Sequence, residues 1–144
     1  MKIQNAIGFV SLELPNDGGS IIMNTEHVTI HHSPDENYWI LWAHFGDVGV
    51  QGPMIEFTFL KTHVAKEYKI EQDRSPGAVT ATMGEGTLGG GAFSGYGEGN
   101  MIISEVAVAG SSYRIKGTCE FEHNDRSVKR KVVVKEFRAQ TIAE

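Results

Sequence analysis

The chain alternates most strictly over YRIKGTCEFE, residues 113–122. Apolar or small residues occupy the odd positions from Tyr113 to Phe121, and charged or polar residues occupy the even positions from Arg114 to Glu122. A period of two places successive side chains on opposite faces of an extended strand. The stretch therefore predicts a β-strand with one face in a core and the other in solvent.

A second segment of this kind follows after a short polar break. A turn centred on residues 124–125 sets Phe121 opposite Val128 and Glu120 opposite Lys129. These pairs join apolar to apolar and acid to base, and each such pair contributes about 0.2–1 kcal/mol to a sheet. The two segments predict an antiparallel hairpin in this register.

Period two also dominates the rest of the chain, and no segment shows convincing helical periodicity. Turn signals rich in Gly, Pro, Asn and Asp recur about every 8–15 residues, which is typical of all-β proteins. No linker divides the chain, so residues 1–144 are predicted to form one domain. The predicted fold is all-β: an antiparallel β-sandwich, jelly-roll-like, or a small closed β-barrel of about 9–10 strands.

Composition narrows the classes of function. The 144 residues carry a formal net charge of −5, which is the wrong sign for a general nucleic-acid binder. No apolar run approaches the ~18 residues that a membrane helix needs, so we expect no membrane partner. A single cysteine, Cys119, excludes an intrachain disulfide and gives no sign of an oxidising compartment. We therefore expect a cytoplasmic location.

The stretch YWILWAHF, residues 38–45, is apolar on both parities. A strand of this kind is either covered on both faces or has one face in the core and the other in an interface. Four of its side chains are candidates for ligand contact, because rigid aromatic faces suit sugar rings and partner side chains: Tyr38, Trp39, Trp42 and His44. Simple core packing is the alternative. A homodimer through this strand is a further prediction.

Glycine fills half of the stretch GEGTLGGGAFSGYGEG, eight of the sixteen residues from Gly84 to Gly99. Its structural interpretation is a loop or bulged strand in which glycines permit sharp bends or close packing. Its functional interpretation is a binding loop in which Tyr96 stacks on a ligand and Glu98 forms hydrogen bonds. Both interpretations stay open at this point.

Two motifs in this stretch do not support catalysis. Gly84–Gly89 matches G-x-G-x-x-G, but no helix is plausible after it, and a phosphate site needs the N-terminus of a helix there. Ser94 lacks the glycine that G-x-S-x-G requires two residues before the serine, so a serine hydrolase is not indicated. We therefore predict neither a dinucleotide cofactor nor a serine nucleophile.

The histidines and the cysteine carry no recognisable metal or nucleophile pattern. His27 and His31 lie four residues apart, about 13 Å along a strand, and cannot chelate one ion together. Neither H-x-H nor H-E-x-x-H occurs, so a metal site would require residues from distant strands, and we predict none. Cys119 has the inward parity of its strand, which indicates a buried and inert thiol.

These observations lead to two functional hypotheses. The first is a non-enzymatic binding or assembly module that presents an aromatic and glycine-rich surface to a protein or a glycan. The alternative is a small barrel that holds an apolar small molecule in a cavity lined by Trp42, Phe57 and Tyr113, with or without catalysis by His44 or Glu56. The first hypothesis is favoured because the sequence contains no catalytic constellation.

Overall fold

The computed structural model describes residues 2–33, 35–47, 49–87 and 89–142, and this part of the chain contains β-strands and no helix. Accordingly, none of these residues belongs to a helix of the length and apolarity needed to cross a membrane. The described residues form eleven strands, slightly more than the sequence predicts: β1 (Lys2–Asn16), β2 (Gly19–Thr25), β3 (Val28–His32), β4 (Tyr38–His44), β5 (Gly52–Leu60), β6 (Glu67–Ile70), β7 (Ala78–Thr87), β8 (Gly90–Ser94), β9 (Tyr96–Ala109), β10 (Ser112–Asp125) and β11 (Val128–Thr141).

The strands form a single sheet whose hydrogen-bonded order returns to its start. The order is β11-β10-β9-β6-β7-β5-β4-β3-β1, and β1 also pairs with β11. Strand β2 pairs with β1 and strand β8 with β7, so both lie outside this ring of pairings. The sequence predicts a wholly antiparallel sheet, but the β6–β7 pair is parallel, so the sheet is mixed. The all-β fold class predicted from the period-two pattern is confirmed.

The core lies between the inward faces of these strands and is rich in aromatic side chains. Trp39 lies 4.9 Å from Phe59 and 5.2 Å from Tyr113 between ring centroids, and Phe57 lies 5.0 Å from Phe137. All five side chains are buried, and together they fill the centre of the molecule. Trp42 has the opposite parity on β4, so Trp42, Phe57 and Tyr113 do not line one interior cavity as the second hypothesis requires.

The β10–β11 hairpin keeps its predicted faces near the turn but has a different register. Phe121 pairs with Val132 rather than Val128, because the two-residue turn lies at residues 126–127, two positions later than predicted, with Arg126 at φ 59°. Near the turn the shift is four residues, an even number, so these side chains keep their predicted faces. A bulge between Gly117 and Cys119 makes the shift five residues farther along, and this turns Phe137 inward against the prediction. The acid–base contacts become diagonal, and Lys131 Nζ lies 3.0 Å from Glu120 Oε1.

The glycine-rich segment is mostly sheet rather than loop. It supplies the end of β7, all of β8 and the start of β9. A methyl group on Gly97 would lie 2.7 Å from the carbonyl oxygen of Ala81 and 2.7 Å from the ring of Phe121, so close strand packing requires glycine there. Strand β8, not a helix, follows the G-x-G-x-x-G positions, of which Leu88 is outside the described residues. The structure thus supports the structural role of these glycines.

Candidate functional site

A polar row crosses the outer face of the sheet opposite the aromatic core. Trp42 on β4 pairs in register with Glu56 on β5, and Glu56 pairs with Thr82 on β7. The indole Nε1 of Trp42 donates a hydrogen bond of 2.7 Å to Oε2 of Glu56. This bond uses only part of the carboxyl group, because a carboxylate offers about four lone-pair sites.

The corner between β8 and β9 places two aromatic side chains beside this row. Gly95, at φ 74°, turns the chain between Phe93 and Tyr96. Thr82 Oγ1 donates a hydrogen bond of 3.1 Å to the carbonyl oxygen of Ser94, which fixes the corner against β7. The Phe93 ring then lies 5.3 Å from the Trp42 ring. The glycine-rich segment therefore positions its two aromatic residues next to Glu56.

The result is a cleft of about 280 Å³, which we call the Glu56 cleft. Its walls combine aromatic faces with carboxyl, amide and hydroxyl groups, which is the mixture expected of a small-molecule site. Phe93 and Tyr96 are half-buried, so part of each ring faces the cleft. The remaining lining residues are Glu56, Glu71, Gln72, Thr80, Ala81, Thr82 and Gly95.

Burial changes the acid–base behaviour of this face. Desolvation raises the pKa of Glu56 above its ordinary value, and the hydrogen bond from Trp42 opposes the rise only in part. On β3, which lies next to β4, desolvation and then the charge of His32 lower the pKa of His31 to about 4. His31 Nε2 lies 3.1 Å from Thr29 Oγ1, and its ring lies 3.9 Å from that of Trp42. At neutral pH, His31 is therefore uncharged.

The structure brings some of the predicted site residues together. Trp42 reaches the Glu56 cleft through its hydrogen bond to Glu56, and Tyr96 lines the cleft directly. Glu98 lines an adjoining groove on the same side of β9. The two sites have Glu71 and Gln72 in common, so Glu98 is a near neighbour of the cleft.

The other three predicted residues lie elsewhere. Trp39 is fully buried in the aromatic core. The guanidinium of Arg74 lies 3.7 Å above the centre of the Tyr38 ring, which covers that face. His44 is buried beside Gly52, and its ring nitrogens have no hydrogen-bond partner among the described residues. None of these three lines the Glu56 cleft.

Sequence reasoning missed part of the cleft. Thr80 and Thr82 share the outward parity of β7, and this alternation with Val79 and Ala81 was a usable signal. Glu71 and Gln72 follow β6 in a polar break, where nothing in the sequence distinguishes a cleft residue from an ordinary turn residue. Pairing between distant strands brings these groups together.

A Ser, His and Asp cluster occurs near the β8–β9 corner but is not arranged as a catalytic triad. Ser94 Oγ donates a hydrogen bond of 2.7 Å to Asp125 Oδ2, and His123 Nε2 lies 2.8 Å from the carbonyl oxygen of Ser94. In a triad the histidine would instead accept the serine hydroxyl proton. The cluster holds the corner in place. The described residues also contain no group of three or more metal-binding side chains.

No protein-family model matches this chain, and no curated protein or solved structure shows significant similarity to it.

Proposed function

We propose that this protein is a non-enzymatic binding module that takes a neutral sugar ring of a glycan into the Glu56 cleft. The observation that carries the proposal is the placement of Phe93 and Tyr96 beside the partly used carboxyl group of Glu56. Aromatic faces stack on the apolar face of a sugar ring, and carboxyl, amide and threonine hydroxyl groups accept and donate hydrogen bonds to sugar hydroxyls.

The size of the cleft favours a glycan over a protein partner. Pockets for small molecules measure about 300–1,000 Å³, and the Glu56 cleft, at about 280 Å³, is close to the lower end of that range. A stable protein interface buries about 1,200–2,000 Å² in total and is usually far flatter. One or two sugar units fit the cleft better than a folded partner does.

The same proposal includes a cytoplasmic location. The sequence has a single cysteine, Cys119, so no intrachain disulfide calls for an oxidising compartment. Its thiol is buried, and burial raises its pKa well above the ordinary value. The homodimer through β4 stays a prediction. Within one chain, Phe93 covers Trp42 and Arg74 covers Tyr38, so a dimer would need other residues of this strand.

The experiment is a titration with immobilised and free neutral oligosaccharides, followed by intrinsic fluorescence. Trp42 contacts Glu56 and Phe93, whereas Trp39 is buried in the core, so a ligand in the cleft changes the emission of one tryptophan. We expect Tyr96→Ala to weaken binding about tenfold or more, because truncating an aromatic side chain that anchors a ligand costs about 2 kcal/mol or more and every 1.4 kcal/mol is tenfold.

The matched control is Phe9→Ala, which removes an aromatic side chain that lies against Arg138, away from the cleft. Its affinity should equal that of the wild type, and thermal melts should show that both variants are folded. Equal affinity of Tyr96→Ala and the wild type, or binding lost equally in both variants, would contradict the proposal. A panel with no bound sugar would also contradict it.

A further inference from the structure

A second and larger cavity lies where three hairpins extend beyond the core. The hairpins β1–β2, β7–β8 and β10–β11, together with the start of β5, enclose an open groove of about 1080 Å³, which we call the hairpin groove. The residues that line it do not include any of those that line the Glu56 cleft. It is therefore a separate site, and its ligand does not depend on the proposed sugar.

One wall of the hairpin groove is apolar and continuous with the core. Leu14 is buried and pairs in register with Ile21, which is 48% exposed. Met23 and Met83 are half-buried and pack against the core cluster. Methionine side chains adapt to irregular apolar surfaces, and apolar side chains exposed in a concavity mark a binding site. This wall offers no side-chain hydrogen bonds and suits an alkyl chain.

The part of the groove formed by the β10–β11 hairpin carries basic side chains. Strand β11 runs beyond the core here, and residues 128–131 are all exposed. Against two acidic side chains, Glu85 and Asp125, the groove has four basic ones: Arg126, Lys129, Arg130 and Lys131. The whole chain, by contrast, carries a net charge of −5. Basic side chains therefore outnumber acidic ones among the residues that line this groove.

Two of the basic side chains are available to a ligand. The lysines already have partners, since Lys131 lies 3.0 Å from Glu120 and Lys129 lies 3.8 Å from Glu122. Arg126 and Arg130 form no ion pair with any described residue. Arg130 pairs in register with His123, which lines the groove, so its side chain has the groove-facing parity. A guanidinium group binds a carboxylate through two parallel hydrogen bonds.

We propose that the hairpin groove binds a free long-chain monocarboxylate. The carboxylate lies at Arg130 and Arg126, and the alkyl chain lies along the apolar wall. Charge complementarity selects the anionic head group, and the side chains of Leu14, Met23 and Met83 select the tail. An acidic peptide satisfies the arginines but leaves its own polar groups unpaired against an apolar wall that offers no side-chain hydrogen bonds.

The test is isothermal titration calorimetry with decanoate below its micelle concentration. Decyltrimethylammonium serves as the charge-reversed probe, and acetate serves as the probe without a tail. We expect decanoate to bind with one site per chain, and the other two probes to bind at least tenfold more weakly. Arg130→Gln should weaken decanoate binding about tenfold, and Ile21→Gln should weaken it several-fold. Higher salt should weaken binding to the wild type and affect Arg130→Gln less.

The matched control is Lys116→Gln, which removes one positive charge from an exposed position of β10 outside the groove. It should bind decanoate as the wild type does. Equal affinity for decanoate and decyltrimethylammonium, or equal effects of Arg130→Gln and Lys116→Gln, would overturn the proposal. So would tighter binding of a glutamate-rich peptide than of decanoate. Formation of a dimer that Arg130→Gln dissociates would overturn it too, because a second copy would then occupy the groove.

Discussion

At Glu56, burial and hydrogen bonding act on one carboxyl group in opposite directions. Desolvation raises its pKa and the Trp42 indole lowers it, and desolvation is the larger effect. A carboxyl whose pKa is higher in the folded protein than in the unfolded chain binds more protons when folded. Its contribution to stability is therefore present at acid pH and is lost as the pH rises through the folded pKa.

We predict that Glu56→Gln melts at a higher temperature than the wild type at pH 8 and at nearly the same temperature at pH 4. The glutamine carbonyl still accepts the hydrogen bond from Trp42, so the substitution removes only the cost of the buried charge. Thermal melts across this pH range measure the difference. Glu67→Gln, at an exposed position, is the control and should show no such trend. A difference in melting temperature that is the same at both pH values would contradict the prediction.

At the scale of the strands, some glycines of the glycine-rich segment have no room for a side chain, whereas others do. A methyl group on Gly99 would overlap the carbonyl oxygen of Glu120 and lie 2.6 Å from Cα of Phe121, whereas nothing lies within 4 Å of a methyl group on Gly90. We predict that Gly99→Ala lowers the free energy of unfolding by about 1–3 kcal/mol, the usual cost of overpacking. Gly90→Ala should change it by less than about 0.5 kcal/mol. Urea denaturation of the two variants measures both values, and equal values would contradict the packing argument.

The faces of the strands could be predicted from the sequence, but their pairing could not. Period two fixes which side of β10 faces the core, and Tyr113, Cys119 and Phe121 are all buried there. Register is a weaker signal, because a slip of four residues leaves every face unchanged and exchanges one plausible set of pairs for another. The β10–β11 turn illustrates this, since nothing in the sequence showed that Arg126 would adopt a positive φ.

The same limit applies to the candidate site. Trp42 and Tyr96 could be predicted from the sequence as candidates for ligand contact. Their closeness in space could not, because it depends on β8 folding back along β7 and placing Phe93 against Trp42. Glycine has no side chain that could point to the core or to solvent. The glycine-rich segment that builds the cleft therefore shows no alternation of apolar and polar residues from which its strands could be predicted. Trp39 and Trp42, by contrast, have opposite parity on β4, and this alone predicts that one faces the core and the other faces away from it.

At the scale of the whole molecule, stability depends on pairing between the two ends of the chain. Ala6 pairs with Thr141 and Ser11 with Glu136, and Gln4 Nε2 donates a hydrogen bond of 2.9 Å to the carbonyl oxygen of Ile142. We predict that a chain ending at Val134 loses cooperative thermal unfolding, because β1 loses six of its eight pairs with β11, β10 loses four of its eleven, and the buried Phe137 is removed from the core. Near-ultraviolet circular dichroism and thermal melts measure this. A chain ending at Ile142 keeps these pairs and should melt cooperatively, and cooperative melting of the shorter chain would contradict the prediction.

The pairing of β1 with β11 also has a consequence for synthesis on the ribosome. Translation proceeds at about 5–20 residues per second, so Thr141 emerges about 7–27 s after its partner Ala6. During that interval β2 covers one edge of β1. The other edge, near the apolar side chains of Val10 and Leu12, stays unpaired because β11 has not yet been synthesised. An unpaired apolar edge is a template for aggregation. We therefore expect the nascent chain to need ribosome-associated chaperones until β11 has emerged.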